Sequence, residues 1–184
     1  MNIRRKLLEA AYPITYWIGK AHLPFTHKAM TSADYRQIAA HAEPGRVLLS
    51  RVKGEVSNLF IPGYWTHAAI IDHGCQHVIE ATYAGVVKTD LIDFVMGKDA
   101  VAMAYYKSLT PNNAGAAVLR AQKYVGLEYD FFFEAGVKAF YCAELIYAAY
   151  QLDGGRRDVF GEIVYTPDMI YEDMDTWGRV GDWD

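Results

Sequence analysis

Three side chains carry the sharpest chemical reading of this chain: Cys142, His67 and Glu80. Cys142 lies in the stretch AFYCAELIYAAY, residues 139 to 150, at the point where an apolar sequence turns helical. Unpaired N–H groups and the positive end of the dipole favour a thiolate at a helix start. Such a thiolate becomes a working nucleophile when a base takes its proton and a third group orients the base. The plain alternative is a buried thiol, since free Cys is among the most buried residue types. His67 sits in an apolar run with Ala68, Ala69 and Ile70, and Glu80 in the run that follows. Taken singly, His67 reads as a core histidine and Glu80 as half of a cross-strand ion pair.

What joins them is a hairpin. The segment THAAIIDHGCQHVIEAT has two β-rich runs flanking His73-Gly74, and Gly suits the positive φ of a two-residue turn. With Asp72 opposed to Cys75, counting back along both strands puts His67 directly across from Glu80. Opposed residues share a face, with Cβ atoms roughly 4.5–5.5 Å apart. A slip of one residue would send them to opposite faces.

The same segment offers His73, Cys75 and His77 at a spacing of two. That pattern is weak for zinc, because His73 is needed in the turn and no CxxC or HxxxH partner occurs. The reading therefore expects no metal and no cofactor. GxGxxG, P-loop, HExxH and GxSxG patterns are missing too.

The elements that must position these groups follow from punctuation and pattern. TSADYRQIAAHAEPG reads as a short helix capped near Thr31 or Ser32 and ended by Pro44-Gly45. RVLLSRV (46 to 52) and AVAMAYY (100 to 106) read as strands, and GVVKTDLIDFV as a strand and a helical turn. TPNNAGAAVLRAQKYVG is a helix opened by Thr110-Pro111 and closed by Gly126, and LEYDFFF is an irregular aromatic link. In the Cys142 helix, residues 145, 146, 149 and 152 have the spacing of a buried stripe. The tail YTPDMIYEDMDTWGRVGDWD contributes a Pro-started turn and an acidic finish. This order predicts an α+β fold, with helices packed on one face of an antiparallel sheet or small barrel.

At 184 residues, 52% hydrophobic and 22% charged, the chain is long and apolar enough for one globular domain. A net charge of −4 argues against nucleic acid as the main partner. Two cysteines are too few for a disulfide-stapled fold. Residues 1 to 30 form an N-terminal arm, and 31 to 184 the single catalytic domain. The arm has Arg4, Arg5 and Lys6, but Glu9 and Pro13 interrupt its apolar run, so it reads neither as a signal peptide nor as a span. It suits packing on the domain or peripheral contact with a membrane surface. The expected location is cytoplasmic.

Three separated stretches together resemble permuted papain-like cysteine hydrolases of the NlpC type, in particular their YiiX-like branch. PGRVLLSRVKGEVSNLFIPGYWTHAAII resembles the opening strands and the His-bearing strand, and HVIEATYAGVVKTDLIDFV the strands after it. AQKYVGLEYDFFFEAGVKAFYCAELIYAAY resembles the G-x-x-Y-D segment and the helix that starts at the nucleophile. His precedes Cys, the reverse of papain's order, as in the lecithin retinol acyltransferase group. The resemblance implies Cys142 as nucleophile, His67 as base and then acid, and Glu80 as third member. Arg46 departs from a common P-G-D turn, CAEL replaces CSEL, and no Ser or Asp cap precedes Cys142.

The expectation is thus an amidase or peptidase acting through a thioester acyl-enzyme on a small-molecule, peptide-like or lipid-linked acyl substrate. Tyr64, Trp65, Tyr83 and Tyr141 are candidates to line its groove. Acyl transfer to a lipid or amine, and ligand capture without catalysis, are the alternatives.

Overall fold

The computed structural model describes residues 29–53, 61, 63–131, 138–152, 156–159, 162–173 and 177–183. The expected arm, residues 1 to 30, lies outside them except for its last two residues. Strands β1 (Val47–Arg51), β2 (His67–Ile71), β3 (His77–Thr82), β4 (Gly85–Asp90), β5 (Ala100–Tyr106) and β10 (Trp177–Trp183) form one sheet, ordered β10-β5-β1-β2-β3-β4. Every neighbouring pair in it is antiparallel. The sheet is open, with β10 and β4 at its edges.

Helix α1 (Ser32–Ala40) starts where the sequence signals it, with Thr31 and Asp34 in a reciprocal capping box. Helix α2 (Leu91–Met96) follows β4 directly, and α3 (Pro111–Tyr124) is capped by the Thr110 hydroxyl, which accepts from the Asn113 N–H. The aromatic link holds a short strand, β6 (Glu128–Tyr129), which pairs in parallel with β7 (Ala139–Phe140), just before Cys142. Helix α4 (Cys142–Tyr150), the hairpin β8 (Arg157–Val159) and β9 (Glu162–Val164), and helix α5 (Pro167–Glu172) lead to β10.

Alternation along β1 explains how the helices are distributed. Val47 and Leu49 enter one core with Ala117 and Val118 of α3 and Leu145 and Ile146 of α4. Leu48 enters a second core with Ile38 of α1 and Phe94 and Val95 of α2. Successive strand residues point to opposite faces, so a sheet whose central strands carry apolar residues on both faces must be covered twice. Helices accordingly pack on both faces, where one face was expected. Helix α4 shows the same effect: Leu145, Ile146 and Ala149 are fully buried and Leu152 partly so, as the stripe predicts, but Cys142, Ala143, Tyr147 and Tyr150 around it are buried too.

Two expectations change in detail. The acidic tail contains β10, an edge strand with a register irregularity between Arg179 and Gly181 against β5. Its two glycines and the irregular register erase the alternation that would have announced a strand. The β2–β3 hairpin also lacks the two-residue turn. Ala69 opposes Glu80, Ile70 opposes Ile79 and Ile71 opposes Val78. The Asp72 N–H donates to the His77 carbonyl and the Cys75 N–H to the Asp72 carbonyl, with Cys75 in the left-handed region at φ 55°. The turn therefore spans residues 73 to 76, and Glu80 moves two places from the direct opposition to His67 that the shorter turn implied. A two-residue shift keeps side chains on the same face, so the pair stays within diagonal reach.

Candidate active site

His67 begins β2, and three features hold it there. Ser50 of β1 is its cross-strand neighbour. The Asp168 carboxylate, on α5, accepts from the backbone N–H groups of Tyr64 (2.8 Å) and Trp65 (2.7 Å), clamping the chain just before the strand. The Phe94 ring of α2 lies 6.0 Å from the imidazole, centroid to centroid. The ring is largely enclosed, with 19% of the side-chain surface accessible.

The imidazole Nε2 meets Glu80 Oε2 at 2.6 Å across the diagonal of β2 and β3. Glu80 is buried, and its other oxygen accepts from the Thr89 hydroxyl at 2.6 Å. Burial alone would raise the Glu80 carboxyl, but the bond and charge of His67, the charge of Lys98 and the Thr89 bond outweigh it and hold the pKa at about 2. Burial likewise opposes a charge on His67, yet hydrogen bonds to Cys142 and Glu80 raise its pKa to about 9. With Nε2 turned to Glu80, Nδ1 is the nitrogen left for the thiol.

Cys142 is the first residue of α4 and is buried. Tyr141 stands at the N-cap with extended backbone and gives no side-chain cap, in line with the lack of a Ser or Asp there. The first-turn N–H groups are thus not taken by a capping side chain, which leaves a setting that favours negative charge. The Tyr141 hydroxyl instead accepts from the Tyr165 N–H at 2.9 Å, tying the helix entry to the segment after β9. Tyr129 of β6, whose Cα partner is Phe140, lies in the electrostatic neighbourhood of Cys142, and burial holds its hydroxyl well above the usual range. Among the described residues, then, imidazole and carboxylate form a bonded pair across two strands, and the Cys142 thiol at the head of α4 is near enough to help raise the imidazole's pKa. The helix packs in the first core, and Phe94, beside the imidazole, in the second.

The four groove candidates divide. Tyr64 and Tyr83 keep 45% and 37% of their surface exposed. Trp65 and Tyr141 are core residues with little surface to offer a ligand: Trp65 packs edge-on to Tyr64 and against Tyr171, and Tyr141 is held by its bond to Tyr165. Asp130 and Glu144 are both buried, Asp130 donating its N–H to the Phe140 carbonyl and Glu144 lying in the first turn of α4. Sequence reasoning missed Thr89, Lys98 and Asp168. Thr89 carried one usable signal, its place two residues beyond Val87, the residue that opposes Glu80.

The other cysteine is set differently. Cys75 lies in the β2–β3 turn, where burial and the nearby charges of Glu43 and Asp72 push its thiol up. Asp72, buried beside it, accepts from the His73 N–H and Gln122 Nε2 and pairs with Lys88. No group of three His, Cys, Asp or Glu side chains among the described residues is placed to hold a metal ion.

Comparison with known proteins bears on this arrangement. Residues 41–180 match the family described as "Permuted papain-like amidase enzyme, YaeF/YiiX, C92 family". The chain belongs to that family. No curated protein matches the sequence. Among solved structures, the chain is similar to the metalloprotein yiiX from Escherichia coli O157:H7, at a TM-score of 0.64 and 18% identity over 77% of this chain and 97% of that one. At that identity the likeness speaks for the fold alone, a mixed helix and antiparallel-sheet architecture of the permuted papain type. Family membership makes this YaeF/YiiX-type chain a papain-like cysteine hydrolase in general terms. Among its described residues no helix is long and apolar enough to cross a membrane.

Proposed function

We propose that this YaeF/YiiX-type chain is an amidase whose Cys142, His67 and Glu80 form a catalytic triad working through a thioester acyl-enzyme. What supports the reading is the His67 ring, bonded to Glu80 through Nε2 at 2.6 Å and raised in pKa by both Cys142 and Glu80. Nδ1 takes the thiol proton, giving a thiolate paired with an imidazolium that the Glu80 carboxylate supports. The thiolate forms a C–S bond to the acyl carbon of an amide. The resulting oxyanion is held by the backbone N–H of Cys142 at the helix start, where that donor is directed at the developing charge. Collapse breaks the C–N bond, and the amine leaves with the imidazolium proton. Neutral His67 then takes a proton from water, hydroxide attacks the thioester, and the C–S bond breaks to restore the thiolate. The acid is released with the remaining charges balanced by the returned imidazolium.

The substrate class is an N-acyl or peptide-like amide, with the exposed Tyr64 and Tyr83 rings as candidate contacts for its apolar part. The test is a hydrolysis screen over N-acyl amino acids, peptidoglycan fragments and acylated lipids, with Cys142→Ala as the control. Trapping of an acyl group on Cys142, seen by mass spectrometry and absent from the variant, is the expected result. Turnover that survives in Cys142→Ala would overturn the assignment. Product that appears on an amine or lipid acceptor in place of free acid would redirect the acyl-enzyme from hydrolysis to transfer.

A further inference from the structure

Glu80 has two carboxylate oxygens, and the triad reading uses only one. Oε2 faces His67 at 2.6 Å, while Oε1 accepts the Thr89 hydroxyl at the same distance. Thr89 lies on β4, opposite Val78, and Glu80 lies opposite Val87. The two therefore meet on the diagonal of β3 and β4, as His67 and Glu80 do on the diagonal of β2 and β3. Three neighbouring strands thus each contribute one residue to a bonded line, His67, Glu80 and Thr89.

A strand position asks only for a side chain that fits the pleat, and Val would fill the shape of Thr without its hydroxyl. A carboxylate held at one oxygen can still turn about its terminal torsion, which is broad and nearly two-fold. Holding both oxygens removes that freedom. Among the described residues, Lys98, just beyond α2, also acts on the carboxylate through its charge, and its ammonium sits over the Phe94 ring. Lys98 supplies field without fixing an orientation, so directional control rests with the Thr89 bond.

We infer that Thr89 is a positioning residue of this site: its hydroxyl fixes the Glu80 carboxylate, and through it the tautomer and angle of the His67 ring. The inference rests on the triad reading and adds a fourth member that touches neither substrate nor thiol. Direction of effect follows from the bonding. The Thr89 hydrogen bond favours ionised Glu80, and ionised Glu80 favours protonated His67, so loss of the hydroxyl lowers the pH at which the imidazolium gives up its proton.

The experiment needs no substrate. Imidazole nitrogen NMR follows the titration of His67, and iodoacetamide alkylation read at the Cys142 peptide follows the thiolate across pH, with the Cys75 peptide as internal reference. In Thr89→Val the His67 titration is expected to move to lower pH, and the Cys142 alkylation rate near neutrality to fall by about tenfold, the loss of one hydrogen bond to a charged group. Thr89→Ser should restore both readouts, which a purely packing role would not do. Thr89→Ala removes the same hydroxyl if the Val variant packs poorly. Glu80→Gln separates the two levels of the argument. If it moves the His67 titration while Thr89→Val and Thr89→Ala do not, the positioning role is wrong and the triad reading stands. If Glu80→Gln leaves His67 unmoved, the triad reading itself fails.

Discussion

Strand β3 carries two histidine–carboxylate arrangements that use the same chemistry in different surroundings. At one end His77 meets Asp90 of β4 at 2.9 Å, with side chains 35% and 58% exposed. At the other, Glu80 meets His67 of β2 at 2.6 Å, with 8% and 19% exposed. The outer pair consists of directly opposed residues, the geometry that cross-strand pairing rules favour. The inner pair is diagonal, yet its carboxylate has a second donor in Thr89, its imidazole lies beside the Phe94 ring, and Cys142 contributes to its raised pKa. Proximity is therefore not what distinguishes His67 from His77. Exclusion of water makes each charge depend on its partner, and the partners then decide protonation. In the open pair, solvent screens the same attraction.

The largest break in that contrast is removal of the proposed nucleophile. Cys142→Ala should lower turnover by about ten-thousand-fold or more, with the fold retained by circular dichroism, because triad members act as a unit. Removing the inner carboxylate comes next. Glu80→Gln should cut kcat/KM by roughly a hundredfold or more and destabilise the protein by about 3 kcal/mol, since it strips a buried partner from His67. The matching change in the outer pair, Asp90→Asn, should leave both within error, about 0.5 kcal/mol in stability. Denaturant titration of the two variants in parallel reads the difference, and equal effects would erase the distinction.

A thiol-selective alkylator sharpens the comparison at the level of single groups. Cys142 should react well before Cys75 near neutral pH, because Cys75 is held up by burial and the acidic neighbours Glu43 and Asp72. His67→Ala should remove that preference. Equal, slow labelling of both cysteines in the unaltered chain would sink the activated-thiolate reading.

The pH dependence of stability gives the smallest effect. His67 is raised from 6.5 to about 9 in the folded chain, so its contribution is complete below 6.5 and lost as pH rises through 9. Glu80 is lowered from 4.5 to about 2, so its contribution is present above 4.5 and lost as pH falls through 2. The pair should hold its full value between 4.5 and 6.5, within the limits those two shifts set. The stability lost between about pH 6 and pH 10 should shrink in Glu80→Gln and be unchanged in Asp90→Asn.

Much of this site can be read before folding. Thr31, Thr110-Pro111 and the apolar run after Cys142 announce their helices through local hydrogen bonding and φ preferences, which need no tertiary contact. The pairing of His67 with Glu80 was also reachable, although from the wrong turn. Residues 73 to 76 close the hairpin with Cys75 in a left-handed conformation that its residue type does not advertise. The error was an even number of residues, and strand periodicity of two absorbed it. An odd error would have put Glu80 in the other core. Asp168 shows the opposite limit: it clamps Tyr64 and Trp65 from more than 100 residues away, and no local pattern encodes that bond.

By itself the sequence determined which residues could do chemistry, the order His before Cys, and the helix that presents the thiol. These depend on residue type, spacing and short-range backbone preference. Tertiary structure decided the rest: that helices cover both faces of the sheet, that β10 completes its edge, that Trp65 and Tyr141 are core, and that Thr89 reaches Glu80. Each of these depends on which surfaces are apolar enough to demand cover and on which strands become neighbours. Those outcomes belong to the whole chain, because burial and cross-strand distance exist only once distant segments have packed.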